Sequence, residues 1–360
     1  MIRPMTDAFA SLPKLEKDMK ILVLTHTDLD GEGAAILFTY FLGDKNVDVK
    51  RCSNSSMNFD ICNTLSNQEL TEQYDMIFAT DISCTAKAAK FLPYTKDIHK
   101  FVLLDHHASA VTLDTYPWTC IQPEVLEDSY RYPMYHDNFP AYTGHSSGTS
   151  LVYDYLEYCG FLYGLPPKQV EMLQTFVHYV VAWDTWEWVE LYNKDESYNQ
   201  FRQLFDSYGF ETFSERIFQK FQKETFTKES LFDETDKLIL RCEQQKKYHA
   251  LQEMKPKIRT GNLKIPFQKE YTIVYLNTNS YLNEVFEMMK TLYPDRDFYI
   301  CNYGSGLSFR TGTNIDLSVF LSEFGGGGHP DAGGISIPND KRLALISDLF
   351  HGEFTLDICH

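Results

Sequence analysis

The sequence Leu-Leu-Asp-His-His-Ala-Ser at residues 103–109 closes an apolar run that begins at Phe101. A short apolar run without polar alternation is typical of a strand buried in a parallel sheet. Its carboxyl end carries Asp105, His106 and His107, and open α/β sheets place their chemistry at the carboxyl ends of their strands. One carboxylate and two imidazoles favour metal binding or acid–base catalysis, although a chance cluster at a turn has the same composition.

A second set of polar residues follows the apolar run Lys20–Thr25, which predicts the first strand. In an extended chain His26, Asp28 and Asp30 point to the same side, so one imidazole and two carboxylates can converge on one point. Two glycines then allow a tight turn into a helix predicted over 34–41. A helix-capping Asp is the alternative interpretation, but it explains Asp30 alone.

Strands alternate with helical segments over the first half of the chain. Further strands are predicted over 48–52, 75–80 and 118–122, and Asp81 follows the second of these. This alternation indicates βα units, a parallel sheet and right-handed crossovers. A long helix predicted over 167–183 ends next to Asp184.

The phrase Ala-Trp-Asp-Thr-Trp-Glu-Trp at 182–188 surrounds Asp184 with three tryptophans. Indole rings can stack on nucleic-acid bases. Core packing explains tryptophans equally well and is the favoured interpretation for at least two of them.

The last hundred residues predict a second set of alternating strands and helices. Strands are predicted over 271–276, 297–301 and 307–312, and helices over 280–292 and 315–324. The stretch 325–334 has six glycines in ten residues, and such a main chain can fold closely around a ligand and offer amide groups to phosphate oxygens. A flexible linker has a similar composition. The predicted fold is therefore α/β: an N-terminal parallel-sheet domain with helices on both faces (1–235), a helical linker (236–264) and a smaller C-terminal α/β domain (265–360).

Composition limits the classes of partner. The net charge of −17 argues against a broad basic groove for long duplex nucleic acid, but a few local cations and metal ions can still hold a short anionic substrate. The eight cysteines show no C-x-x-C spacing, which favours reduced thiols in a cytoplasmic protein over disulfides or a zinc site. No apolar run is long enough for a membrane span, and residues 1–20 lack the apolar core of a secretion signal.

Taken in order, these motifs resemble those of the DHH phosphoesterases. His26-x-Asp28-x-Asp30-Gly, Asp81, Asp105-His106-His107 and Asp184 resemble the four motifs of the catalytic DHH domain. Arg310 with Gly325-Gly-Gly-Gly-His329 resembles the substrate-binding DHHA1 domain. The resemblance covers nearly the whole chain, and it is strongest to the oligoribonuclease (nanoRNase B) branch.

The resemblance implies two Mn²⁺ ions, with Mg²⁺ or Co²⁺ as alternatives, and phosphoester hydrolysis. Carboxylates and imidazoles are ligands that suit Mn²⁺. His26, Asp28 and Asp81 would hold one ion, and Asp30, Asp81, His106 and Asp184 the other. Asp105 would orient His106 or His107, and His107 would lie near the scissile phosphate. Substrate would be bound by a further set of residues: Arg310, Gly326, Gly327, Gly328 and His329.

Several functions remain open at this stage. The first is hydrolysis of short oligoribonucleotides (nanoRNA) to nucleoside monophosphates. The second is hydrolysis of 3′-phosphoadenosine 5′-phosphate (pAp) or of linear or cyclic dinucleotides such as pApA and c-di-AMP. An inorganic pyrophosphatase is disfavoured, because that family lacks the Gly-Gly-Gly-His motif. A non-catalytic nucleotide-binding protein is the alternative from another class, and the sequence leaves a homodimer open.

Overall fold

A computed structural model describes residues 3–127, 129–132, 144–264, 270–328 and 330–336. The chain divides into two compact units, Met1–Leu240 and Arg241–His360. Within the described ranges no helix has the length and apolar character that a membrane span requires. The cysteines in these ranges are all unpaired, and Cys359 lies outside them.

A parallel five-stranded sheet forms the centre of the first unit, in the order β2-β1-β3-β4-β5. It confirms the fold predicted from the apolar runs. Successive residues of β1 alternate between two cores, because Ile21 and Val23 pack on one face of the sheet and Leu22 and Leu24 on the other. Both faces are therefore covered, which explains the unbroken apolar runs. The strands are β1 (Ile21–His26), β2 (Val47–Cys52), β3 (Met76–Thr80), β4 (Phe101–Asp105) and β5 (Thr119–Ile121).

Helices of the first unit cover the sheet. They are α1 (Met5–Ser11), α2 (Leu29–Leu42), α3 (Met57–Ser66), α4 (Gln68–Thr71), α5 (Ala86–Ala89), α6 (Gly148–Tyr158), α7 (Pro167–Asp184), α8 (Glu187–Glu190), α9 (Glu196–Gln222) and the start of α10 (Glu234–Met254). Short 3₁₀ turns cover Asp44–Asn46, Leu92–Tyr94, Ile98–Lys100 and Ala108–Leu113 in this unit and Lys255–Lys257 in the second. The long helix predicted before Asp184 is confirmed, and its apolar side is buried in the core at Phe176, Val177 and Val180.

The helix after the first strand begins earlier than predicted. Asp28 is its N-cap and accepts a hydrogen bond from the Gly31 amide at 3.0 Å, so Asp30 lies in the first helical turn. The expectation of an extended chain over residues 26–30 was therefore wrong. Gly31 does not serve a turn: a Cβ there would lie 2.4 Å from the backbone oxygen of His26, so the close approach of helix and strand requires glycine.

A mixed six-stranded sheet forms the second unit, in the order β10-β11-β9-β8-β7-β6. Strands β7 and β8 are parallel and the other neighbours antiparallel. The strands are β6 (Arg259–Lys264), β7 (Glu270–Asn277), β8 (Phe298–Asn302), β9 (Gly306–Thr311), β10 (Gly327–Gly328) and β11 (Ala332–Ser336), and the helices are α11 (Leu282–Leu292) and α12 (Leu317–Ser322). This smaller α/β unit confirms the predicted class.

One prediction fails in this unit. Residues 259–264, assigned to the helical linker, form β6 and pair with β7. Part of the glycine-rich stretch, whose composition allowed a main chain folded around a ligand or a flexible linker, forms strands in which Gly327 pairs with Gly334 and Gly328 with Gly333. Glycine has no side chain to show strand alternation, so the composition could not distinguish a hairpin from a loop.

A buried ion-pair cluster joins α9 to the start of α10. Asp236 is 1% exposed; its carboxylate lies 2.7 Å from Lys220 Nζ, 2.8 Å from Arg216 Nη2 and 2.7 Å from the Tyr208 hydroxyl. Burial raises the pKa of Asp236, but the hydrogen bonds from Lys220 and Tyr208 outweigh it, and the net pKa is lowered. The native state therefore favours the charged form.

This cluster predicts a loss of stability in acid. A carboxylate with a lowered native pKa stabilises the fold above its unfolded pKa of about 3.9, and that contribution disappears as the pH falls through the native pKa. We expect Asp236→Asn to cost about 1–3 kcal/mol at neutral pH and to differ little from wild type at the lowest pH. Urea titrations followed by tryptophan fluorescence measure this, because all four tryptophans lie in the first unit. The exposed Glu234→Gln is the control; an equal loss of stability at every pH would contradict the prediction.

Candidate metal centre

The carboxyl ends of three neighbouring strands bring polar side chains to one edge of the parallel sheet. His26 is the last residue of β1, Asp81 follows β3, and Asp105 ends β4. Parallel strands end at a common edge, so residues distant in sequence meet there. Asp81 has a left-handed backbone with φ of 58°, a conformation that Asp tolerates better than most residues.

Three groups of candidate ligands meet at this edge, each with ligand atoms within 4.8 Å of one another, and the two described first share no residue. The first is His26, Asp28 and Asp81; His26 Nδ1 lies 2.5 Å from Asp28 Oδ2 and 3.8 Å from Asp81 Oδ2.

The second group is Asp30, His106 and Asp184. His106 Nε2 lies 3.8 Å from Asp30 Oδ2 and 3.5 Å from Asp184 Oδ2. The same nitrogen lies 3.2 Å from Asp81 Oδ1, so Asp81 connects the two groups. The structure thus brings together all six residues that the sequence analysis singled out as metal ligands.

The electrostatics of the centre suit a divalent cation. Burial raises the pKa of Asp81 well above its usual range, and the charges of Asp30 and Asp28 raise it further. The pKa of Asp184 is raised in the same way by burial and by the same two acids. Asp81 Oδ2 is buried and accepts no hydrogen bond from the described residues. A cation would relieve this repulsion and occupy the unused oxygen.

The imidazoles fit the same interpretation. Burial lowers the pKa of His106, which favours the neutral ring that a metal ligand requires. The hydrogen bond to Asp28 raises the pKa of His26. Burial raises the pKa of Asp28, but the hydrogen bonds from His26 and the Gly31 amide lower it to about 2. These neighbours keep Asp28 in the ionised form that metal binding needs.

Asp105 and His107 form a pair within the third group, which they share with Asp81 and His106. Asp105 is fully buried, and its Oδ1 lies 2.7 Å from His107 Nδ1 and accepts from the amides of His106 and His107 at 2.9 and 3.3 Å. The hydrogen bond to Asp105 raises the pKa of His107 to about 9. His107 is half exposed, so its ring is held from behind and remains accessible to solvent.

The start of α6 holds Asp30 in place, a role that the sequence analysis missed. The Gly148 and Thr149 amides donate to the two oxygens of Asp30 at 2.6 and 2.9 Å, and the Thr149 hydroxyl donates to the Asp30 backbone oxygen at 2.7 Å. A helix N-terminus stabilises a carboxylate in this way. Ser147 is the N-cap of α6, and nothing in the Ser-Gly-Thr-Ser phrase at 147–150 indicates that its amides hold Asp30.

Gly148→Ala should therefore lower the rate of phosphoester hydrolysis, and the loss should be larger than the unfolded fraction of the variant accounts for. An added Cβ would lie 2.5 Å from the Asp81 Cβ and 3.0 Å from Asp30 Oδ2, so both carboxylates must move. We expect kcat to fall by at least about tenfold, because a small displacement of positioned groups has large kinetic effects. The unfolding free energy should fall by about 1–3 kcal/mol.

Ser150→Ala is the matched control for Gly148→Ala. It removes the hydrogen bond that the Ser147 amide donates to the Ser150 hydroxyl, but it leaves the N-cap bond from the Ser150 amide to the Ser147 hydroxyl and the two amides that hold Asp30. We expect a stability loss of about 1 kcal/mol with near-normal kcat. If both variants are fully folded under the assay conditions and have equal kcat values, Gly148 has no positioning role.

The predicted substrate-binding residues lie in the second unit. Arg310 is on β9; its guanidinium lies 4.7 Å from the centre of the Phe286 ring, and its Nη2 donates to Asn283 Oδ1 at 3.3 Å. Gly326 precedes β10, and Gly327 and Gly328 form it. His329 lies outside the described residues. The substrate role of these residues stays a prediction.

Solved structures with this fold include the exonuclease RecJ. RecJ bound to manganese is 13% identical with a TM-score of 0.50, covering 98% of this chain and 94% of its own. RecJ of Thermus thermophilus with Mn²⁺ is 14% identical with a TM-score of 0.51, covering 97% of this chain and 54% of its own. The chain thus shares its fold with RecJ, and the ordered motifs at its sheet edge resemble those of the DHH phosphoesterases.

The chain is also similar in sequence to one characterised nuclease. The chain is 27% identical over 330 residues to oligoribonuclease NrnB of Bacillus subtilis (strain 168), covering 91% of this chain and 75% of the relative. This similarity supports the resemblance to the oligoribonuclease branch. The sequence matches no protein-family model.

Proposed function

We propose that this protein is a two-metal phosphodiesterase that uses Mn²⁺ to hydrolyse short oligoribonucleotides to nucleoside monophosphates. The observation that carries the proposal is the pair of ligand groups connected by Asp81. His26, Asp28 and Asp81 would hold one ion, and Asp30, Asp81, His106 and Asp184 would hold the other. When bound, the ions would activate a water molecule and stabilise charge on the phosphoryl oxygens.

Asp105 and His107 act next to the scissile phosphate in the proposed mechanism. Asp105 accepts the hydrogen bond of His107 Nδ1 and fixes the orientation of the ring. Nε2 of His107 is then the atom that donates a hydrogen bond or a proton to a phosphate or leaving oxygen. The start of α6 keeps Asp30 from turning away from His106.

The preference for short RNA rests on charge and on the relative. A net charge of −17 disfavours tracking along long nucleic acid, where affinity comes from many phosphate contacts. The curated relative is named an oligoribonuclease. We also infer a cytoplasmic location, from the unpaired cysteines of the described ranges.

Hydrolysis of a labelled RNA ladder with Mn²⁺ tests the proposal. The ladder runs from dinucleotides to long strands, with pAp and cyclic di-AMP assayed beside it. Fast loss of the shortest oligomers with slow loss of long strands is the expected result. Preferred hydrolysis of pAp or cyclic di-AMP would replace the RNA function with nucleotide turnover. Metal binding without turnover of any substrate would favour a nucleotide-binding protein.

Arg310→Ala should mainly weaken substrate binding. A charged hydrogen bond to phosphate contributes about 1.5–3 kcal/mol, so we expect KM to rise about 10- to 100-fold with a smaller change in kcat. Steady-state kinetics on an RNA dinucleotide measure both constants. Arg259→Ala, which removes a second-unit arginine bonded to the Pro256 and Ile258 carbonyls, is the control. A normal KM for Arg310→Ala would refute its substrate role.

A further inference from the structure

Trp186 is a large exposed aromatic side chain that closely follows the candidate metal centre in the chain. It is 56% exposed and lies two residues after Asp184. Because consecutive Cα atoms are about 3.8 Å apart, the two residues are separated by less than about 8 Å along the backbone. The indole is therefore close enough to meet part of a nucleotide whose phosphate is held at the centre.

The backbone of Trp186 has a conformation that side chains disfavour. Its φ and ψ are 64° and 8°, in the left-handed region, where a bulky residue costs free energy and glycine does not. Residues kept in such conformations concentrate at binding and catalytic sites, where the surrounding structure holds them. Glycine would give a lower free energy of folding at this position, so the presence of tryptophan points to a role other than stability.

Buried contacts hold the turn that presents this indole. Glu187 is 0% exposed, and its Oε2 lies 3.1 Å from Nη2 of the buried Arg131. Glu187 Oε1 accepts from the His145 amide at 3.0 Å, and Arg131 Nη1 donates to the His145 carbonyl at 2.6 Å. The residue after Trp186 is thus fixed by charge-assisted hydrogen bonds, which give the exposed ring a defined position.

Two further tryptophans contact the indole ring of Trp186. Trp183 and Trp188 are half-buried and pack against the core of the first unit, as the sequence analysis favoured for two of the three. Their ring centres lie 6.4 Å from that of Trp186, with interplanar angles of 24° and 25°. Trp186 is the most exposed ring of this group and is not among the residues that pack against that core.

We infer that Trp186 is a stacking platform for one base of the substrate, beside the metal centre. The inference rests on the proposed function and adds a base-recognition element to it. Every nucleobase has a π face, so an indole platform binds bases with little sequence preference. That property suits an enzyme that must degrade short oligomers of any sequence.

A thermodynamic cycle between Trp186 and the base tests the inference. The substrates are the RNA dinucleotide pApA and two analogues that each lack one base, all assayed with Mn²⁺. We expect Trp186→Gly to lower kcat/KM for pApA by about tenfold or more, and to leave it unchanged for the analogue that lacks the stacked base. Trp186→Phe should retain most of the activity because it keeps an aromatic face. Asn193→Gly relaxes another left-handed position nearby in the chain and should behave as wild type.

Equal kcat/KM values for wild type and Trp186→Gly would overturn the inference, as would equal losses with pApA and both analogues. A readout without hydrolysis separates this result from a failure of the proposed function. AMP should quench the tryptophan fluorescence of the wild type, ribose 5-phosphate should not, and Trp186→Gly should lose the difference. This base-dependent quenching supports the platform even where no RNA is cleaved, and its absence from the wild type counts against the platform.

Discussion

Asp81→Ala is expected to reduce Mn²⁺-dependent hydrolysis by at least about 10³-fold, since a metal ion contributes several kcal/mol to phosphoryl transfer. Asp81 is the residue that connects the two ligand groups: its Oδ1 faces His106 and its Oδ2 faces His26. Its removal should therefore affect both proposed ions. The measurement is single-turnover cleavage of a labelled RNA dinucleotide at saturating Mn²⁺.

Thermal melting separates this effect from misfolding. Mn²⁺ should raise the melting temperature of the wild type, because a ligand that binds only the native state stabilises it, and should raise that of Asp81→Ala much less. Without metal the variant should lose little stability, because removing a buried carboxylate beside Asp30 and Asp28 offsets the cost of alanine in the left-handed conformation.

The matched control for Asp81→Ala is Asp97→Ala. Asp97 is also buried and accepts a hydrogen bond from the Thr71 hydroxyl at 2.6 Å, but it belongs to neither ligand group. We expect it to lose stability and to retain turnover and the Mn²⁺ shift. Substantial activity in Asp81→Ala would remove the two-metal proposal.

The strand ends were predictable because their signal is local. Asp81 and Asp105 each interrupt an apolar run, and burial on both sheet faces makes such a run recognisable without its neighbours. The convergence of these acids followed from parallel topology alone. The helical start at Leu29 was not predictable from periodicity, because the glycines after Asp30 lower helix propensity and imitate a turn.

The hydrogen bonds that hold the Asp30 carboxylate could not be predicted from local sequence patterns. Its carboxylate is held by amides 118 and 119 residues away, and backbone amides carry no sequence signature. The same applies to Arg131 and Glu187, whose pairing spans 56 residues. Local patterns identify which residues can do chemistry, whereas the contacts that orient those residues depend on the tertiary fold.

Glu187→Ala is expected to destabilise the first unit by about 3–5 kcal/mol, the usual cost of removing one partner from a buried ion pair. Arg131 is 4% exposed and would lose its ion pair with this carboxylate. The turn between α7 and α8 would lose its contact with the His145 amide at the same time. Urea unfolding monitored by tryptophan fluorescence reports the first unit, because every tryptophan lies there.

Two further variants identify the cause of this loss. Glu190→Ala removes an exposed carboxylate from the same short helix and should change stability by less than about 0.5 kcal/mol. The double replacement Arg131→Met with Glu187→Leu removes both charges and should recover most of the stability, since apolar pairs often replace buried ion pairs without loss. If the double variant is as unstable as Glu187→Ala, the cost arises from the His145 contact rather than from an unbalanced charge. Glu187→Ala should also weaken the base-dependent quenching of tryptophan fluorescence by AMP. The reason is that Glu187, the residue after Trp186, would no longer be fixed by Arg131 and the His145 amide.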